Sequence, residues 1–142
     1  MENIIGLLRE KNQFLKKFYT LNKAELLRLS EGDFSRLDIF YQSRETILDM
    51  ITHVENRMEE TLGVTAVVDP VSEEERLRIR RELDFKDDVV NEILDQDLQI
   101  LSFIENAKTD IIKELQDVSK KRDVIGSYNS GSQPTKRLRT IK

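Results

Sequence analysis

The sequence predicts an all-α fold: an antiparallel helical hairpin packed on a long C-terminal helical segment, whole or broken once, in a coiled-coil-like bundle of three to four helices. Three observations predict it. Apolar residues recur at alternate steps of three and four along most of the chain. Gly32, Gly63 and Gly126 each stand where such a stripe stops, as residues that tolerate the left-handed conformation at helix ends do. The composition, 35% charged with five Gly, two Pro and no Trp at a mean hydropathy of -0.52, suits surface-rich helices better than a thick globular core.

The first helix is expected over residues 3–29. With Ile5 as position a, the stepping reaches Leu8, Asn12, Leu15, Tyr19, Asn22, Leu26 and Leu29, so that six of eight seam positions are apolar or aromatic. The two seam asparagines admit two readings. Either they fix register at some loss of stability, or the seam is rotated and leaves both at its edge. The turn Ser30-Glu31-Gly32-Asp33 closes the helix, with Asp33 placed to cap the next one.

That second helix is expected over 33–62, with a seam of Phe34, Leu37, Tyr41, Arg44, Leu48, Ile51, Glu55, Met58 and Leu62, widened by Ile47 and Val54. At 1.5 Å per residue the two helices run roughly 40 and 45 Å, matched lengths for a hairpin. Residues 63–71, GVTAVVDPV, read as a linker, after which Ser72 and Glu75 spell a capping box. A break is expected at Leu83–Lys86, where Asp84 and Phe85 are weak helix formers and the stripe changes phase, giving helices over 72–83 and 86–126. The bundle domain then covers 1–126, and the Ser-, Gly- and Asn-containing basic stretch 127–142 reads as a disordered tail.

The long segment carries the strongest periodicity: Val90, Leu94, Asp97, Leu101, Ile104, Lys108, Ile111, Leu115, Val118, Arg122 and Ile125, flanked by Ile93, Leu98, Ile100 and Ile112. This face is wider than a two-stranded seam requires, and the hairpin reaches along only part of it. The expectation is core for the first half and a partner surface past Ile111.

Charge and chemistry exclude several function classes. No apolar run approaches the roughly 18 residues of a membrane span, and the basic-then-apolar order of a signal peptide is missing, which predicts a soluble, intracellular protein. There is no Cys, hence no disulfide, Cys-ligated zinc or thiol catalysis. The net charge of -4 is uneven: seven basic residues against Asp123 from Ser119 onward leave -10 on the preceding 118 residues. An acidic body disfavours a nucleic-acid face. His53 is the single histidine, no Glu-x-x-His pair exists for a carboxylate-bridged metal site, and the acidic clusters at Glu73-Glu74-Glu75, Asp87-Asp88 and Asp95/Asp97 read as solvated helix faces. Neither a phosphate-cradling Gly-rich loop nor a nucleophile elbow is present, so neither an enzyme nor a cofactor is expected. The basic clusters KKR and KRLR have the spacing of a bipartite nuclear-import signal, a pattern that short basic runs produce by chance.

Two stretches carry a family resemblance. LSEGDFSRLDIFYQSRETILDMITHVENRM, with its Gly-Asp turn, a following Leu, then Arg-Glu and paired aliphatics, resembles the middle of FlgN-type flagellar export chaperones. ILDQDLQILSFIENAKTDIIKELQDVSKKRDVIGSYNSG is similar to that family's last helix, which ends in a Tyr before a flexible tail; Asp97 stands where the family often has Asn. FliT-type chaperones are the near alternative.

The resemblance implies a cytoplasmic helical chaperone that binds the C-terminal segments of the hook-filament junction proteins (FlgK/FlgL-like), prevents their premature assembly and delivers them to the export gate. On that reading client contacts fall on Ile104, Ile111, Leu115, Val118 and Ile125, with Leu98 and Leu101 as the bridge to the bundle. Tyr128 matches the family's terminal Tyr and is the candidate for contact with the export gate. A monomer or a weak homodimer is compatible with this role. The alternative is a structural coiled-coil subunit whose stripe is buried by a second copy.

Overall fold

Asn3 opens the first helix, its side-chain oxygen accepting the Ile5 N–H at 2.9 Å, which satisfies one of the donors that a helix start leaves free. The computed structural model describes residues 3–68 and 72–128, without the side chains of 64–68 and 123–128. It consists of α1 (Ile4–Ser30), α2 (Leu37–Val68) and α3 (Glu73–Tyr128), with no strand among the described residues. The all-α class expected from the periodicity is the one observed.

Helix α1 ends as its Gly predicts. Gly32 takes φ +81°, its N–H reaches the Leu29 carbonyl at 3.0 Å, and the Asp33 N–H reaches Arg28 O at 2.9 Å, the paired bonds of a Schellman cap. Asp33 does not cap α2 itself. Its Oδ1 accepts the Ser35 N–H at 2.9 Å and the Ser35 hydroxyl at 2.6 Å, stabilising the turn that leads into α2. The helix therefore begins at Leu37 and not at residue 33.

The structure corrects three further boundaries. Helix α2 runs through Gly63 to Val68, because a helical Gly costs only about 1 kcal/mol relative to Ala, whereas the Asp69-Pro70 pair that follows in the sequence disfavours helix outright. Helix α3 is unbroken across 83–86. Phe85 is held there by the core cluster, and a few tenths of a kcal/mol of unfavourable propensity at Asp84 and Phe85 do not outweigh that packing. Gly126 lies inside α3, which continues to Tyr128; of the expected tail 127–142, residues 129–142 lie outside the described residues. One half of the Ser72 capping box is formed: the hydroxyl accepts the Glu75 N–H at 3.2 Å, and it donates to Glu75 Oε1 at 3.2 Å.

The chain divides into two compact units, Met1–Leu101 and Ser102–Lys142. The first is a three-helix bundle. Pairs Lys11–Glu55 and Glu10–Arg57 set α2 antiparallel to α1, while Asn12–Glu82 and Asn22–Asp97 set this part of α3 parallel to α1. Leu15, Phe18, Ile51, Val89 and Ile93 form the central cluster, with Phe40, Val54 and Ile100 also buried. Each fully buried aliphatic or aromatic side chain contributes about 1.5–3 kcal/mol. The second unit, over its described residues, is the remainder of α3.

The seams differ from those expected by a small rotation. In α1 the polar seam positions hold: Asn12 and Asn22 are buried, which favours the register reading over the edge one. In α2 the inward residues are Phe40, Ile51 and Val54, while Tyr41 and Leu48 face outward. In α3 they are Val89, Ile93, Gln96 and Ile100, one residue before the expected Val90, Leu94, Asp97 and Leu101.

Candidate partner-binding surfaces

In the second unit, residues 105–122 of α3 are exposed apart from a half-buried Ala107, and Ile104 is also half-buried. The sequence folds locally as a helix because Ala, Leu, Ile, Lys, Glu and Gln dominate it and no Pro interrupts it. Spacing of three and four then puts Ile104, Ile111, Leu115 and Val118 on one face. Ile111, Leu115 and Val118 are 58%, 61% and 50% exposed, and Ile112 at the stripe's margin is 46% exposed. Such a row of half-exposed aliphatics is available to a partner helix. Lys108 interrupts it, and Glu105, Asp110, Glu114 and Asp117 with Lys113, Lys120, Lys121 and Arg122 supply both signs of charge around it. Ile125 and Tyr128 belong to α3, but their side chains lie outside the described residues.

Leu98 and Leu101 belong to the first unit, and there the arrangement is different. Arg44 of α2 is fixed by Asp97 of α3, Nη2 lying 3.3 Å from both carboxylate oxygens, and Asn22 of α1 donates to Asp97 Oδ1 at 3.2 Å. The Arg44 guanidinium also lies over the rings of Phe18, Phe40 and Tyr41, with its carbon 4.8, 5.3 and 5.9 Å from their centroids. Three helices are thus tied at one polar node. Around it Tyr41 and Leu48 on α2 are 46% and 44% exposed, and Leu94, Leu98 and Leu101 on α3 are 56%, 67% and 53% exposed. Tyr41, Leu48 and Leu94 were expected in the internal seams. Their exposure follows from the one-residue rotation that puts Phe40 and Ile93 inside instead.

Two more polar contacts fix the α1–α3 register. Asn12 Nδ2 donates to the Glu82 carbonyl at 2.9 Å and to Glu82 Oε1 at 3.0 Å, and Gln96 Nε2 donates to Tyr19 O at 3.1 Å. Glu25, whose side chain is wholly buried, pairs with Arg28 at 3.0 Å.

His53 is exposed on α2, and among the described residues no group of three or more His, Asp or Glu is placed to hold a metal ion. A cleft of about 570 Å³ is open and lined by Arg76, Ile79, Arg80, Leu83, Asp84 and Asp87, successive turns of one helix. No helix, over the described residues, is long and apolar enough to cross a membrane. No protein-family model, curated protein or solved structure matches the chain.

Proposed function

We propose that this protein is a FlgN-type export chaperone whose second unit offers the aliphatic face of α3 to the C-terminal segment of a hook-filament junction protein of the FlgK/FlgL kind. The observation that carries the reading is the exposure of Ile111, Ile112, Leu115 and Val118 on a helix whose spacing suits a partner helix. The resemblance of the sequence to FlgN-type chaperones supplies the identity of the client, the cytoplasmic setting and the delivery to an export gate.

The mechanism is coupled folding and binding. A client segment disordered when alone folds as an amphipathic helix on the stripe, so that its aggregation-prone residues are covered until release. Burying six to eight aliphatics contributes about 10–20 kcal/mol gross, much of it offset by ordering and association entropy, which leaves micromolar to nanomolar affinity. An affinity in that range lets the chaperone let go. Ile104 and Ile125 extend the contact at its two ends, and Tyr128 meets the export gate. No chemical step is involved.

Titration calorimetry with the C-terminal segments of the junction proteins from the same source tests this directly. One-to-one binding with a negative heat-capacity change is expected, and it should be lost in Leu115→Asp/Val118→Asp while helix content stays unchanged. Tyr128→Ala should bind client and fail to bind the gate. A stable dimer in light scattering, with no client binding, would mean instead that a second copy covers the stripe and that the chain is a coiled-coil subunit.

A further inference from the structure

We infer that the outer face of α2 and α3 in the first unit is a second docking surface, built for a basic amphipathic helix of a partner protein. It takes in Leu98 and Leu101, expected from the resemblance as the bridge of the client stripe to the bundle, and it does not depend on the Ile111–Val118 part of that stripe.

The geometry follows from the Arg44–Asp97 pair. Because α2 and this part of α3 are antiparallel, Leu48, four residues after Arg44, lies level with Leu94, three residues before Asp97. By the same register Tyr41 lies level with Leu101. The ion pair is therefore bracketed by two apolar levels, with Leu98 between them. Helix residues separated by seven repeat the same face about 10 Å apart, the spacing that the anchors of an incoming helix match. A three-helix bundle that needed only its own core would carry polar residues here. Instead α2 and α3 each carry an apolar stripe next to the one they bury.

Charge identifies the occupant. Between Asp87 and Leu101, α3 has Asp87, Asp88, Glu92, Asp95 and Asp97 and no Lys or Arg. Between Leu37 and Asn56, α2 has Asp38, Glu45, Asp49 and Glu55 against Arg44, whose charge is taken by Asp97. Asp38, Glu45 and Asp49 are exposed, as are Asp87 and Asp95. An apolar strip with acidic margins favours a helix whose own aliphatic stripe is flanked by Lys or Arg, and it repels acidic helices and anionic lipid. A second copy meeting this face with its own would set acid against acid, so a heterologous partner is the occupant.

Fluorescence anisotropy on the full chain tests the assignment with two designed peptides of about three heptads, each with Leu at a and d and differing only in Lys or Glu at e and g. At low salt the Lys peptide should bind at least about ten-fold more tightly than its Glu twin. Leu94→Ser/Leu98→Ser, which alters only exposed side chains, should weaken the Lys peptide by about ten-fold or more with an unchanged thermal midpoint. The triple variant Asp38→Lys/Glu45→Lys/Asp49→Lys should reverse the preference. Leu115→Asp/Val118→Asp, in the second unit, should leave binding of the Lys peptide unchanged. Equal binding of the two peptides, no binding of either, or a loss that follows Leu115 and Val118 in place of Leu94 and Leu98 would overturn the proposal.

Discussion

Helix α3 carries aliphatics every three or four residues among charged ones in both units, yet the two stretches behave differently. Up to Ile100 it supplies Val89, Ile93 and Ile100 to a core shared with α1 and α2, and Gln96 and Asp97 bond to α1. From Glu105 to Arg122 its aliphatics are exposed, and the hydrogen bond from the Thr109 hydroxyl to Glu105 O is internal to the helix. Periodicity therefore reports that an apolar face exists, while burial depends on what the rest of the chain brings to it. In the first unit the face is anchored, and in the second, over its described residues, it is exposed. Native-state amide exchange should separate them, with protection near the global unfolding free energy around Phe18 and Ile93 and much lower protection around Leu115.

The most direct way to break this comparison is to truncate one side chain in each unit. Phe40 is buried against the Arg44 node, so Phe40→Ala should cost about 3–5 kcal/mol, whereas Leu115→Ala in the free protein should change stability by no more than about 0.5 kcal/mol. Urea denaturation of the full chain reads both, and Phe40→Leu gives a milder variant if the alanine does not fold. Equal losses at the two sites would show that the second unit is core after all.

The next effect in size sharpens what the first unit's anchoring consists of. Arg44→Met keeps the stem but leaves Asp97 with only the amide of Asn22, and should cost about 1–3 kcal/mol. Arg44→Lys should recover less than half of that, because an ammonium cannot lie flat over Phe18 and Phe40 while bonding to Asp97. Full recovery with Lys would mean that charge alone, and not the stacked plane, holds the node. Asn22→Leu should have a smaller effect, within about 1 kcal/mol in either direction, since a buried polar group trades stability for register. Its signature is a second set of amide resonances at α1 and α3. A single unchanged set would show that the Asn22–Asp97 bond is dispensable for register.

Much of this fold was legible, and the parts that were not share a physical cause. The turn at Gly32 and most of the α1 seam were readable because each rests on local chemistry, one residue that accepts positive φ and apolar spacing, although Phe18 and Glu25 turn inward beside the expected Tyr19 and Leu26, which stay half-buried. Register across helices was not, since Val89-Val90, Ile93-Leu94 and Ile100-Leu101 offer two adjacent stripes of nearly equal apolar character. Contacts from Asn12, Tyr19 and Asn22 to Glu82, Gln96 and Asp97 select the stripe that turns inward. The other stripe becomes surface, which is why spacing alone places Tyr41, Leu48 and Leu94 in the core. Gly63 reads as a stop because a stripe ends there, yet a helical Gly costs only about 1 kcal/mol; Asp84-Phe85 reads as one on propensity, which is worth less than packing the Phe85 ring against the core. The exposure of Ile111, Leu115 and Val118 was readable from the hairpin's limited reach along the third segment.

The smallest effect is set by Asp33 and runs with pH. The Ser35 hydroxyl and backbone N–H both donate to its carboxylate and hold its pKa below the usual 3.8 in the folded state. A carboxyl whose folded pKa is depressed stabilises the native state above its unfolded value, and that contribution disappears as pH falls through the folded value. Asp33→Ala should therefore lower the thermal midpoint slightly at neutral pH, and the gap from the parent should close on acidification through the carboxylate range. Asp33 sits in the α1–α2 turn, so the change should appear in amide exchange around Leu15 and Ile51 of the first unit and be absent around Leu115. Equal sensitivity in both units would mean that the second unit draws its stability from the first, and that the separation of an anchored face from an exposed one does not hold.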